Sequence, residues 1–214
     1  MMYFRPTAEM ATQKQAVTMK YHIGEEKEIE TLLRPETPLE ETILRQEEFR
    51  MGLMWGEPRY GHPEGKVALH VREVLDNVDQ LPIDEETRSK LRLVTLIHDT
   101  FKYQEKKGFP RDWSQHHSML ALQFAEQFIS DQLVLDTIEL HDEAYYVWRG
   151  IHLYRQPQKA QKRLNNLLAR MKGNMQFYYL FFKSDTCTGD KTLAPLKWFE
   201  STMPGIEYFP LRGI

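Results

Sequence analysis

Apolar residues along this chain recur at three- and four-residue spacings and almost never alternate, so the pattern predicts an all-α fold with essentially no strands. In the first firm helix, LEETILRQEEFRMGLMW following Pro38, Leu39, Ile43, Phe49, Leu53 and Met54 fall at helical intervals before Gly56 and Pro58 stop it. Further helices are predicted over about 66–79, 85–101, 114–129, 131–143 and 158–184, with a last one near 194–203. LPIDEE before Thr87, GFPRDW before Ser114 and RQPQ before Lys159 supply the breakers and acidic first turns between them. Residues 1–36 are polar, carry Glu25, Glu26, Glu28 and Glu30 and end at RPETP, which predicts a loosely ordered arm ahead of a single helical domain over 37–214.

Ionisable residues interrupt the apolar stripes. His70 shares a helix face with Val67, Val71, Val74 and Val78, and His98 and Asp99 follow the run Leu91, Leu93, Val94, Leu96 and Ile97. His117 lines up with Ala121, Phe124 and Phe128, His141 with Val134 and Ile138, and Asp185 with Tyr178, Phe181 and Phe182. Burying one unpartnered polar group costs roughly 2–7 kcal/mol, and an unpaired carboxylate costs far more, so these five helices must bring the residues together. A hydrogen-bonded histidine cluster would satisfy them. So would one or two divalent metal ions, since neutral imidazole and carboxylate are ligands for Mg, Mn, Fe, Co, Ni or Zn.

Composition narrows the partners. The 214 residues are 41% hydrophobic, enough for one sizeable core, and the net charge of -3 lacks the basic excess of a dedicated nucleic-acid binder. Small phosphorylated ligands remain compatible with it. Cys187 is the single cysteine, so no internal disulfide or thiolate metal cluster can form within these residues, and a reducing cytoplasm is the expected location. The opening stretch lacks the apolar core of a signal peptide, and the longest apolar run, FYYLFF, is too short to span a bilayer, so no membrane association is expected. Oligomeric state is unreadable from this pattern.

Histidine, then HD at the end of an apolar helix, then a distant aspartate resembles the HD superfamily of metal-dependent phosphohydrolases. The segments that carry the resemblance are HVREVLDNV at His70, LVTLIHDTFK at His98 and FFKSDTCTGDK at Asp185. HHSMLALQFAEQF and IELHDEAYY resemble the six-ligand subset, and His117 fits better than His116 because small residues, Ala121 and Ala125, follow it by four and eight positions. GHPEGKVALH is similar to the segment that opens the HD domain of tRNA nucleotidyltransferases, although no nucleotide-transferring domain precedes it in these residues. One departure is Phe101, where relatives often carry glycine before the lysine of HDxxK, a change expected to reshape the pocket or its access.

The resemblance implies an HD-type helical bundle with a metal site at its centre. Asp99 would bridge two ions, with His70, His98 and Asp185 on one side and His117 and His141 on the other, and a metal-activated water would attack the phosphate ester of a nucleotide or other small substrate. Lys102 would hold the phosphate, and Asp142 and Glu143 would orient ligands from behind. The same ligand set also occurs in di-iron oxygenases of this fold, and a catalytically silent nucleotide-binding regulatory module is a third reading. His22, His62, His116 and His152 are expected on the surface or in loops, with His62 nearest the site mouth, while Tyr145, Tyr146, Trp148, Tyr154, Tyr178 and Tyr179 serve packing and Trp198 and Phe199 close the core.

Overall fold

The computed structural model describes residues 21–211, among which there are helices, one isolated bridge between Arg59 and His62, and no strand. The helices are α1 (Ile29–Leu33), α2 (Pro38–Leu44), α3 (Glu47–Met54), α4 (Val67–Val78), α5 (Glu85–Ile97), α6 (His117–Ala125), α7 (Gln132–Leu140), α8 (Glu143–His152), α9 (Pro157–Arg170), α10 (Met175–Thr186) and α11 (Ala194–Thr202). Among the described residues no helix is long and apolar enough to cross a membrane.

Local chemistry sets the helix starts. Thr37 Oγ1 accepts from Glu40 N at 3.1 Å, Asp84 Oδ1 from Thr87 N at 2.8 Å and Asp131 Oδ1 from Leu133 N at 2.9 Å, each satisfying a donor that the first turn leaves free. The central element is α4, which packs against α1, α3, α5 and α10 and therefore buries even Arg72 and Asn77. One hydrophobic cluster runs from Ile23 to Leu211.

Several expected boundaries move. The segment predicted as one helix over 158–184 is two helices, because the chain reverses through Gly173, whose φ of 79° lies where a side chain would be strained. The helix expected after Pro38 breaks between Leu44 and Glu47, and α8 was not expected as a separate helix. The predicted loose order of the arm does not hold for its described part: α1 lies within it, and Ile23, Ile29 and Leu33 are buried in the core. Charge density had masked those three apolar anchors; residues 1–20 of the expected arm lie outside the described residues. Phe101 fills the core against Phe124, with ring centroids 4.9 Å apart, and does not line the pocket.

Two features fix α5 and the segment that follows it. Gly52 of α3 meets the chain so closely that a Cβ there would lie 1.9 Å from the Thr100 carbonyl oxygen, so only glycine permits this approach. Deeper, the Arg92 guanidinium and the Glu40 carboxylate form a fork-to-fork pair at 2.9 and 2.8 Å, each residue 1% exposed. Arg92 also reaches Glu36 Oε1 at 3.0 Å, so removing the Glu40 charge leaves the guanidinium with one exposed carboxylate, a smaller loss than the about 3–5 kcal/mol of a fully isolated buried charge. Glu40→Gln is therefore expected to lower unfolding free energy by less than about 3 kcal/mol in urea titrations, with a lower midpoint; an unchanged midpoint would show that the pair contributes nothing net.

Candidate metal centre

The helices converge by their ends. His70 comes from the first turn of α4, His98 and Asp99 follow the last residue of α5, His117 opens α6, His141 and Asp142 follow α7, and Asp185 sits in the last turn of α10. The six residues expected from the sequence all meet there. Asp99 lies between two groups: its Oδ2 is 3.6 Å from His70 Nε2 and 3.5 Å from His98 Nε2, and its Oδ1 is 3.5 Å from His117 Nε2 and 3.6 Å from His141 Nε2. Asp185 Oδ1 joins the first group, 2.9 Å from His70 Nε2 and 3.7 Å from His98 Nε2.

Asp142 joins the second group directly, with its Oδ2 3.4 Å from His117 Nε2 and 3.7 Å from His141 Nε2, instead of orienting ligands from behind as expected. The turn between α7 and α8 brings it round. The Tyr178 hydroxyl holds that turn, donating toward the Leu140 carbonyl at 2.9 Å and accepting from Ala144 N at 3.1 Å. Asn77 braces the other side by donating to the Ser184 and Cys187 carbonyls at 2.8 and 3.0 Å, which fixes the end of α10 at Asp185. Glu143 pairs with Arg163 and does not reach the cluster.

Donor chemistry fits a divalent cation. His98 Nδ1 donates to the Thr95 carbonyl at 2.9 Å, His141 Nδ1 to the Ile138 carbonyl at 2.8 Å and His117 Nδ1 to Glu105 Oε2 at 3.0 Å, while His70 Nδ1 faces Thr188 Oγ1 at 3.4 Å and Glu64 Oε1 at 3.5 Å. With the proton on Nδ1, the Nε2 atoms of His70 and His98 turn lone pairs inward, while His117 Nε2 and His141 Nε2 lie 3.2 Å apart and share a hydrogen bond. The buried Nε2 atoms of His98 and His70 make no hydrogen bond, even though Asp185 Oδ1 lies 2.9 Å from the latter: the two atoms are close but not aligned as donor and acceptor. Orphaned lone pairs and carboxylate oxygens aimed at shared points are the arrangement a metal ion satisfies.

The electrostatics divide the two halves. Burial, with Lys191 close by, pushes His70 down to about 4, leaving a neutral imidazole. Burial opposes charge on His141 too, but the Asp142 and Asp99 carboxylates outweigh it and lift the group to about 9. Burial likewise works against ionising Asp99, yet Lys102 and His98 hold its carboxyl well below the usual range; Asp185 is held down similarly by Lys191 and His70. A cavity of about 230 Å³ opens onto this cluster, lined among others by Tyr60, His62, Lys102, Tyr145, Phe182 and Lys191. Lys102 Nζ contacts Asp99 Oδ2, and Lys191 Nζ donates to Asp185 Oδ1 at 2.9 Å.

His62 lies at the cavity mouth, its Nδ1 2.9 Å from Glu64 Oε1, and His22 and His152 are exposed. His116 corrects the expectation of a surface histidine. It is 3% exposed, caps α6 through its ring nitrogen, 3.2 Å from Ser118 N, and meets the Tyr146 hydroxyl at 2.9 Å, so its consecutive position with His117 reflects a cap followed by a ligand candidate. Lys191, Glu64 and Glu105 were not singled out from the sequence. They lie on loops, where no periodicity marks which face is buried.

No family model, curated protein or solved structure matches this chain. What stands is that its buried histidine and aspartate clusters can hold a metal ion.

A ligand that binds only the folded state at a hundred times its Kd adds about 2.7 kcal/mol of stability. Saturating Mn(II) or Co(II) is expected to raise the melting temperature, EDTA to reverse the rise, and His98→Ala to diminish the response. A melting temperature indifferent to every divalent metal would contradict the reading.

Proposed function

We propose that this chain is an HD-type phosphohydrolase that uses one or two divalent cations to cleave a phosphate ester of a nucleotide or other small phosphorylated molecule. The observation that supports it is the two-sided placement of Asp99, one carboxylate oxygen facing His70 and His98 and the other facing His117 and His141, beneath a cavity that carries Lys102 and Lys191. His70, His98 and Asp185 would hold one cation, His117, His141 and Asp142 the other, and Asp99 would serve both. A bound divalent cation supplies Lewis acidity and a water whose pKa falls from about 15.7 toward about 7.

The chain's own residues account for binding and orientation. Three carboxylates in a confined cavity repel an anionic substrate unless cationic groups accompany them, and the ammonium groups of Lys102 and Lys191 meet that need. Each lysine reaches a carboxylate at its present position, and each has a flexible stem that lets it turn its remaining donors to phosphate oxygens. Phe182 and Tyr145 form apolar wall, which limits bulk water beside the reacting phosphate and strengthens charge interactions there.

The test is phosphate release from p-nitrophenyl phosphate, bis(p-nitrophenyl) phosphate and nucleoside monophosphates after reconstitution with Mn, Co, Ni or Mg. Metal-dependent turnover is expected, with a loss of at least about 100-fold in Asp99→Asn. Lys102→Met is expected to lower kcat/KM by about 10–100-fold, the value of one charged hydrogen bond, with metal content unchanged. Absence of turnover with every metal and ester would contradict the proposal, and tightly retained iron with substrate-dependent oxygen uptake would replace it with an oxygenase.

A further inference from the structure

We infer that Glu105 is a positioning residue for one half of the centre: it holds His117 for the cation on the Oδ1 side of Asp99 and leaves the cation on the Oδ2 side unaffected. The inference rests on the two-cation reading above and adds a division of labour between the two positions.

The reason lies in where each histidine sits on its helix. His98 and His141 both stand at helix C-termini, so the carbonyl three residues back, Thr95 or Ile138, is already in place to accept from Nδ1. Those holders are backbone and come with the helix. His117 is the first residue of α6, so its own helix has no earlier turn to offer a carbonyl, and a side chain takes that part. Glu105 does so at 3.0 Å, with its side chain only 6% exposed.

Glu105 is itself fixed from two directions. Its other oxygen contacts the Arg111 guanidinium, which lies 4.8 Å from the centroid of the Trp113 ring. It also closes the short 3-10 turn Thr100–Gln104 that begins right after Asp99. One seven-residue stretch, Asp99 to Glu105, therefore carries both the carboxylate shared by the two positions and the group that orients His117. On the Oδ2 side nothing depends on Glu105, since His70 faces Thr188 and Glu64 and His98 uses its own helix.

A carboxylate that orients a ligand histidine changes metal affinity by about 10–100-fold when removed. Calorimetric titration of the metal-free full chain with Mn(II) and with Co(II) is the test. The unaltered protein is expected to take up two ions, Glu105→Ala to weaken one uptake by about 10–100-fold with the other unchanged, and Glu105→Gln, which keeps an acceptor oxygen, to fall between them. In a His70→Ala background, where the remaining uptake belongs to the His117 side, Glu105→Ala is expected to weaken it by the same factor. Melting of the metal-free Glu105→Ala protein should stay close to that of the unaltered chain. Equal weakening of both uptakes, or no weakening of either, would overturn the assignment, and an unaltered chain that takes up no ion would refute the metal centre and Glu105's part in it together.

Discussion

Three aspartates in the interior of a helical protein set the terms for the rest of the molecule. Asp99 is 4% exposed, and Asp142 and Asp185 are half-buried on the same narrow cavity, so their charges are poorly hydrated and need balancing by protein groups or by a cation. Four imidazoles and two ammonium groups gather round them. The balance is uneven without an added cation: His141 carries a proton that its carboxylate neighbours hold, while His70 is neutral with an unsatisfied nitrogen. A divalent ion on each side of Asp99 would replace that proton and use those lone pairs.

Helix ends are what make such a gathering possible. A residue in the middle of a helix is committed to one face, whereas a residue at a terminus can turn away from the axis while the helix behind it stays packed. His98, Asp99, His141, Asp142 and His117 all exploit termini, and the flanking structure is tied down where they project. Tyr178 closes the α7–α8 turn, Asn77 closes α10, and Gly52 lets α3 press on the backbone at Thr100.

Periodicity and its violations made the helical class and six of the cluster residues readable in the sequence. His70 was legible because valines flank it on a stripe, and His98 and Asp99 because they end a run too apolar for a surface. Asp142 was seen, but its direct place beside His117 and His141 depends on a tight turn that hydrophobic spacing does not encode. Lys191 and Glu105 come from loops, where neighbours in space are far apart or unmarked in sequence. Glu40 and Arg92 were invisible for a different reason: each reads as an ordinary solvated charge until the partner 52 residues away is placed against it. The α1 anchors Ile29 and Leu33 were lost among glutamates because a short helix offers too few turns for a stripe to stand out.

The account comes down to whether cations occupy both sides of one carboxylate. Crystals of the protein grown with Mn(II), measured for anomalous scattering, answer it directly. Two anomalous peaks are predicted, one about 2.0–2.4 Å from His70 and His98 Nε2 and one at the same distance from His117 and His141 Nε2, with Asp99 between them. A map with no anomalous peak among these residues, their imidazoles instead bonded to one another or to water, would contradict it.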